Sequence, residues 1–372
     1  MTISPADRVL AREDLARSRV LVCDDSAVIR GLLVRLLEAD PSIHVVGTAA
    51  NGQEAIAAQA RYRPDVVVLD IEMPVMDGLA ALPELLKADP NVQVVMASTL
   101  TTRGADITLR ALRLGAADYV PKPTAVAGIA SAEEFRRELL MKVKALGAAR
   151  RRRTLGARAT PVPPFRGAVR PAVAAALRPE IVAIGASTGG PKALFRLVCD
   201  LGGAFPLPVL ITQHMPPAFL SILADHITKL GGLPCREARE GERIERGQIY
   251  LAPGDRHLQV KGERAAARIA LSDGPPENFC RPAVDPMFRS VAEVYGGRAI
   301  AVVLTGMGHD GLAGAREIVA RGGVVLAQDE ATSVVWGMPG AVAQAELASA
   351  VLPVDRIGPK LLALSSGAAG SE

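Results

Sequence analysis

The 372-residue sequence predicts two α/β domains, each a doubly wound parallel sheet, and three observations carry that expectation. Short β-branched runs alternate with Ala/Leu-rich amphipathic stretches in two separate series, one from Arg19 and one from Glu180. Only 12 residues are aromatic, so the cores must be built from Val, Leu, Ile and Ala, the make-up of strands buried on both faces. Between the two series lies a tract of Arg, Ala and Pro without a single acidic residue, unlike either flank.

In the first series strands are expected at Val20–Cys23, Val45–Thr48, Val66–Leu69, Val94–Ala97 and Tyr119–Val120. Helical patterns fall at 26–39, 52–61, 78–88, 103–114 and near 131–147. Residues 148–179 carry prolines at 161, 163, 164, 171 and 179, which stop a helix, and read as a linker. In the second series strands are expected near 181–185, 208–213, 248–252, 267–271, 299–304 and 323–327. Helices are expected near 191–201, 216–230, 284–295, 311–321 and 355–365. No clear internal repeat relates the halves. The resulting division is an extension over 1–18, domains over 19–147 and 180–367, the linker between them, and a tail over 368–372.

Charge and composition exclude several classes. Apolar residues make up 49% of the chain and charged residues 22%, which rules out extended disorder as the main state. Residues 147–179 hold eight arginines and no acid; taking that +8 out of a net +4 leaves the remainder at −4, so no nucleic-acid-coating surface is expected. Arg150–Arg153 reads as part of a solvated linker. Cys23, Cys199, Cys235 and Cys280 form no CxxC pair and read as reduced thiols. No apolar run reaches membrane-spanning length, and Arg12, Glu13, Asp14 and Arg17 interrupt the N-terminal stretch. A cytoplasmic protein without membrane insertion is expected.

The first series puts polar groups at successive strand ends. Asp24 and Asp25 end the first strand, directly before Ser26, and Asp70 ends the third. In an open parallel sheet, ligands bind at the carboxyl ends of strands where the order reverses. Three carboxylates on one rim are costly unless a hard divalent cation with oxygen ligands compensates them. Ser98 ends the fourth strand and Lys122 follows the fifth, a hydroxyl and an ammonium suited to an oxyanion carried on Asp70. Asp and Ser are also common turn and cap residues, but five such groups at successive strand ends favour chemistry.

The second series opens with IVAIGASTGGP, an apolar strand, a Gly/Ser turn and Pro191 at the first helical position. Ser187 thus sits on a tight strand-to-helix turn that exposes a nucleophile, where a helix N-terminus can serve an oxyanion. The G-A-S-T-G-G spacing is not the GxGxxG of a dinucleotide cradle. Among His44, His214, His226, His257 and His309, both His214 and His309 directly follow strands and compete for the base. Asp310 would orient His214 more easily than its own neighbour, so Ser187 as nucleophile, His214 as base and Asp310 as orienter is the best assignment.

Residues 19–146 resemble the receiver domain of two-component response regulators, with DDS, LDIEMPVMDG, the strand-end Ser98 and the K-P dipeptide in order. The resemblance implies a flavodoxin-like fold and phosphorylation of Asp70. It implies Mg²⁺ held by Asp24, Asp25, Asp70 and the Glu72 carbonyl, and a phosphoryl switch of Ser98, Tyr119 and Lys122. Over 180–365, GASTGG, TQHMPP, YLAPGDRHL, DGPPENFCRPAVDPMF, LTGMGHDG and WGMP occur in the order found in CheB-type chemotaxis methylesterases. That resemblance implies a Rossmann-like methylesterase domain hydrolysing glutamyl methyl esters, and often deamidating glutamines, on chemoreceptors.

By the same resemblance Ser187, His214 and Asp310 fall on the catalytic triad. Thr188 and Met307 line the site with amides for the oxyanion, and Arg281 lies near the same loops. The ester chemistry needs no cofactor. The partners implied are methylated chemoreceptors as substrate and a CheA-like histidine kinase as phosphodonor. The receiver is expected to cover the Ser187 rim until Asp70 is phosphorylated. The rivals are a DNA-binding regulator, against which stands the lack of a basic helix–turn–helix, and a receiver-controlled adaptor with weak or no esterase activity.

Overall fold

The computed structural model describes residues 17–98, 101–122, 129–156 and 177–366, in two compact units on either side of position 162. In the first unit, strands β1 (Ser18–Cys23), β2 (Ile43–Ala49), β3 (Val66–Asp70), β4 (Gln93–Ser98) and β5 (Asp118–Pro121) form one sheet. Their order is β2-β1-β3-β4-β5 and every pair is parallel. All of β3 and β4 is buried without alternation, because helices shield both faces of the sheet. The order reverses between β1 and β3, which puts Asp24 and Asp70 at the rim where open parallel sheets bind ligands.

The helices of this unit begin where short polar side chains take their first free amides. Ser26 caps α1 (Ala27–Glu38), Asn51 caps α2 (Gly52–Tyr62), Asp77 caps α3 (Gly78–Ala88) and Thr101 caps α4 (Thr102–Leu114). Gly78 has a further reason: a Cβ there would strike the carbonyl of Asp70. The chain must therefore pass bare beside the strand end that carries the aspartate.

The last helix of the unit corrects the sequence expectation. α5 runs over Ile129–Gly156, well past the 147 at which periodicity fades. Phe135, Leu139, Val143, Leu146 and Ala149 keep an apolar stripe at three- and four-residue spacing. Arg150 continues that stripe instead of ending it. Its side chain is only 10% exposed, with Nε 3.1 Å from Asp65 Oδ1 and a second nitrogen 2.8 Å from Asp89 Oδ2. Arg151 donates to Ser18 Oγ at 2.8 Å. Partners 61 to 133 residues away make these arginines part of the folded unit, which composition alone cannot reveal.

The second unit holds a seven-stranded sheet. Its strands are β6 (Ile181–Ala186), β7 (Val209–Gln213), β8 (Cys235–Glu237), β9 (Ile249–Leu251), β12 (Ala299–Val303), β13 (Val324–Gln328) and β14 (Ala350–Leu352). The order is β14-β13-β12-β6-β7-β9-β8, again wholly parallel. The segment near 267–271 does not join it. β10 (His257–Lys261) and β11 (Arg268–Ser272) pair with each other as a separate antiparallel hairpin. Edge strands β8 and β14 are three residues each, too short to show a period.

Helices α6 (Gly190–Leu201), α7 (Pro217–Gly231), α8 (Val284–Tyr295), α9 (Leu312–Ala320), α10 (Met338–Gln344) and α11 (Val354–Ser366) complete this unit. On α8, Val284, Met287, Phe288 and Val291 lie on one face and join Ala183, Leu210, Ala301 and Val303 in the core. Among the described residues no helix is long and apolar enough to cross a membrane.

Candidate functional site

Strand order in the second unit reverses between β6 and β12, and three polar residues emerge at that crevice. Ser187 follows β6 and its amide donates to Thr305 O beyond β12 at 3.1 Å. His214 follows β7, its amide held by Ala186 O at 3.1 Å. Asp310 follows β12 and is 2% exposed. Gly189, at φ 74°, makes the left-handed turn into α6. At Gly190 a Cβ would collide with Gln213 Oε1.

His214 Nε2 lies 2.7 Å from Asp310 Oδ2. The same carboxylate accepts the amide of Val284 at 2.7 Å, that of Asp285 at 3.0 Å, that of Gly311 at 2.9 Å, and Asn278 Nδ2 at 3.0 Å. Burial opposes its charge, but the hydrogen bond from His214 and the backbone donors outweigh it and hold Asp310 below the ordinary carboxylate range. Asp285, bound to Gly314 N at 2.6 Å and sharing Asn278, is pushed up by burial and by Asp310. Burial would lower the His214 imidazole, yet Asp310 and Cys280 raise it to about 10.

Ser187 Oγ makes no hydrogen bond to His214 among the described residues. The ring's second nitrogen, Nδ1, faces Cys280 Sγ at 3.5 Å. The amides of Thr188 and Met307 donate to no group among the described residues, and Thr188 is buried while Met307 is half-buried. Thr305 Oγ1 fixes this turn by donating to Thr188 O at 2.9 Å. Gly306, between Thr305 and Met307, packs so closely on Ser187 that a Cβ there would clash with the serine's own.

Sequence reasoning passed over Gln213, Asn278, Asp285 and Cys280. Gln213 Nε2 clamps the carbonyls of both Ser187 and His214 at 3.0 Å, and its strand-end place beside His214 was the available signal. The other histidines lie elsewhere. His44 and His309 are exposed, His226 packs near Phe195, and His257 is a buried staple that accepts the amide of Ala283 at 3.1 Å. Arg281 caps the carbonyls of Asp273 and Gly274.

The rim of the first unit is built differently. Lys122 Nζ stands 2.7 Å from Asp24 Oδ2 and 2.7 Å from Asp70 Oδ1. Asp24 and Asp70 are buried and Asp25 is exposed. A cavity of about 220 Å³ opens beside them, lined by Asp25, Asp70, Glu72, Ser98 and Lys122 among others. Burial holds Asp70 above its ordinary range against the pull of Lys122. Lys122, which burial alone would lower, is raised by its two carboxylates. Carboxylate oxygens of Asp24, Asp25 and Asp70 all lie within 4.8 Å of one another, a hard-donor set that fits a hard divalent cation. Tyr119 is 2% exposed, with Lys142 Nζ 4.7 Å from its ring centre.

Comparison with known proteins matches both units. Residues 182–361 match the CheB methylesterase family and residues 20–132 the response regulator receiver domain. The chain is 56% identical over 365 residues to the protein-glutamate methylesterase/protein-glutamine glutaminase of group 2 operon of Rhodospirillum centenum, covering 92% of each. It is 54% identical to the protein-glutamate methylesterase/protein-glutamine glutaminase of Azospirillum brasilense, over 94% of this chain and 93% of that one. The crystal structure of the Thermotoga maritima CheB methylesterase catalytic domain covers 50% of this chain and 100% of its own, at 41% identity and a TM-score of 0.49. The chain is a response regulator whose receiver is joined to a methylesterase-type domain. It belongs to the protein-glutamate methylesterase/protein-glutamine glutaminase family.

Proposed function

We propose that this chain removes methyl groups from glutamyl methyl esters of chemoreceptors, and deamidates receptor glutamines, under control of phosphorylation at Asp70. The observation that carries the esterase is the 2.7 Å bond between His214 Nε2 and Asp310, which leaves Nδ1 as the one ring nitrogen available to Ser187. His214 takes the Ser187 proton at Nδ1, and Ser187 Oγ attacks the ester carbonyl. The amides of Thr188 and Met307 receive the developing oxyanion. Methanol leaves with the proton, and water then attacks the glutamyl-serine ester with His214 again as base. With a glutamine substrate the leaving group is ammonia. Asp310, saturated with backbone donors, orients the imidazole and stabilises its charged form.

In the receiver, Asp24, Asp25, Asp70 and the Glu72 carbonyl would hold Mg²⁺, which when bound neutralises charge at the phosphoryl acceptor. Lys122 holds the carboxylates of Asp24 and Asp70 together, and Ser98 and Tyr119 act as the switch that reads the phosphoryl group. The phosphodonor is a CheA-like histidine kinase.

A fluorophosphonate tests the nucleophile. It should label Ser187 alone, mapped by mass spectrometry, and labelling should disappear in His214→Ala. Label at another serine, or undiminished label in His214→Ala, refutes the assignment.

A further inference from the structure

The loop that faces the catalytic imidazole is under strain. Glu277 and Cys280 exchange backbone hydrogen bonds, at 3.1 and 2.9 Å, around a two-residue turn. Both central residues, Asn278 at φ 52° and Phe279 at φ 63°, are left-handed, the type I′ pattern that glycine ordinarily fills. A phenylalanine in that region is costly and persists only where surrounding contacts over-determine it. They do so here. Asn278 Nδ2 is tied to Asp285 and Asp310 at 3.0 Å each, and Glu277 to Arg289 at 2.6 Å. The product of that strain is the placement of Cys280, whose sulfur reaches His214 Nδ1 at 3.5 Å.

Resting on the esterase reading above, we infer that Cys280 is a positioning residue for the base: it occupies His214 Nδ1, the ring nitrogen that Ser187 needs, so that cysteine and serine compete for one atom. Nε2 is committed to Asp310, and Ser187 makes no bond to the ring in this arrangement. Turnover therefore requires the Cys280 contact to yield. Substrate seated against the turn at Phe279, which is 90% exposed, is well placed to displace it.

The charged or titratable groups around the ring are few. Asp310 comes from the loop after β12 and Cys280 from the strained turn. Asp285 stands behind Asp310 on α8, with Arg289 one turn further along. Of these, Asp310 and Cys280 touch the imidazole; in the protonated ring Nδ1–H donates to the Cys280 sulfur as Nε2–H donates to Asp310, so both contacts favour the charged form. Removing Cys280 leaves Asp310 in place while withdrawing one of the two supports of the positive ring.

The test compares wild type, Cys280→Ala and Cys280→Ser in the full chain, by methanol release from methylated receptor membranes across pH. Cys280→Ala should raise turnover at neutral pH by roughly fivefold, the scale of one weak hydrogen bond. The acidic limb of its pH profile should move to lower pH, because the base loses its proton more easily. Cys280→Ser, whose hydroxyl still meets the ring, should lie between the two. Cys280→Ala with an unmoved acidic limb, whether its rate is unchanged or reduced, overturns the inference and leaves Cys280 a packing residue. Ser187→Ala separates the two layers of the argument. Turnover that survives it refutes the nucleophile and this inference with it, whereas its loss beside an unmoved Cys280→Ala refutes the inference alone.

Discussion

Both units place chemistry at the carboxyl ends of parallel strands where the strand order reverses, yet they manage buried charge in opposite ways. In the receiver, Asp24 and Asp70 are joined by one ammonium, that of Lys122, and with Asp25 leave room for a cation beside a cavity of about 220 Å³. In the esterase domain the carboxylate that meets the imidazole, Asp310, is saturated by three amides, Asn278 and His214. The first arrangement suits the phosphoryl traffic proposed for Asp70, which changes the charge of the site in use. The second suits the role proposed for Asp310, a charge that stays fixed while the neighbouring ring gains and loses a proton.

The sharpest way to break this contrast is Asp310→Asn. An amide has one acceptor oxygen where the carboxylate had two, so some of the donors now on Asp310 lose their partner. Esterase turnover should fall by about 10³-fold or more, as expected when a base loses its orienting carboxylate. The same variant should change the pH dependence of stability. His214 is raised from 6.5 to about 10 in the folded state, so its pairing stabilises the domain fully below 6.5 and is lost as pH rises through about 10. Thermal melts of wild type should show that alkaline loss, and those of Asp310→Asn should show much less of it. An equal slope in both would mean that the pair does not couple to folding.

A smaller effect is expected far from either rim. Arg150→Ala removes the ion pairs to Asp65 and Asp89 and should destabilise the receiver by about 2–3 kcal/mol, below the full cost of orphaning a buried pair because Asp89 keeps some solvent. Denaturant melts of the full chain should show the receiver transition shifted and the esterase transition unmoved. A shift in neither would return Arg150 to the solvated run that its composition implies.

The two sites also differed in how far the sequence could be read. The residues proposed to carry the receiver chemistry, Asp24, Asp70 and Ser98, end β-branched runs, so pattern alone puts them on one rim. The strand ends likewise deliver Ser187, His214 and Asp310. What pattern could not supply is the packing around Asp310: Asn278 is 32 residues away from it, and Cys280 is 66 from His214. Those contacts depend on a type I′ turn formed without glycine, for which Asn278 is a lone and weak signal in NFCRP. The extension of α5 was hidden for a related reason. An arginine run reads as solvated until the fold brings Asp65 and Asp89 against it, and the hairpin of β10 and β11 looks like one more parallel strand until its partner is known.

Phosphorylation at Asp70 is proposed to control an esterase centred on Ser187. Methanol release from methylated receptor membranes, measured with Mg²⁺ in the presence and absence of a small phosphodonor, tests it directly. Release should rise with the donor in wild type, stay at the basal level in Asp70→Asn, and vanish in Ser187→Ala. Release that ignores the donor, with Asp70 shown to be phosphorylated, or that survives in Ser187→Ala, would contradict the account.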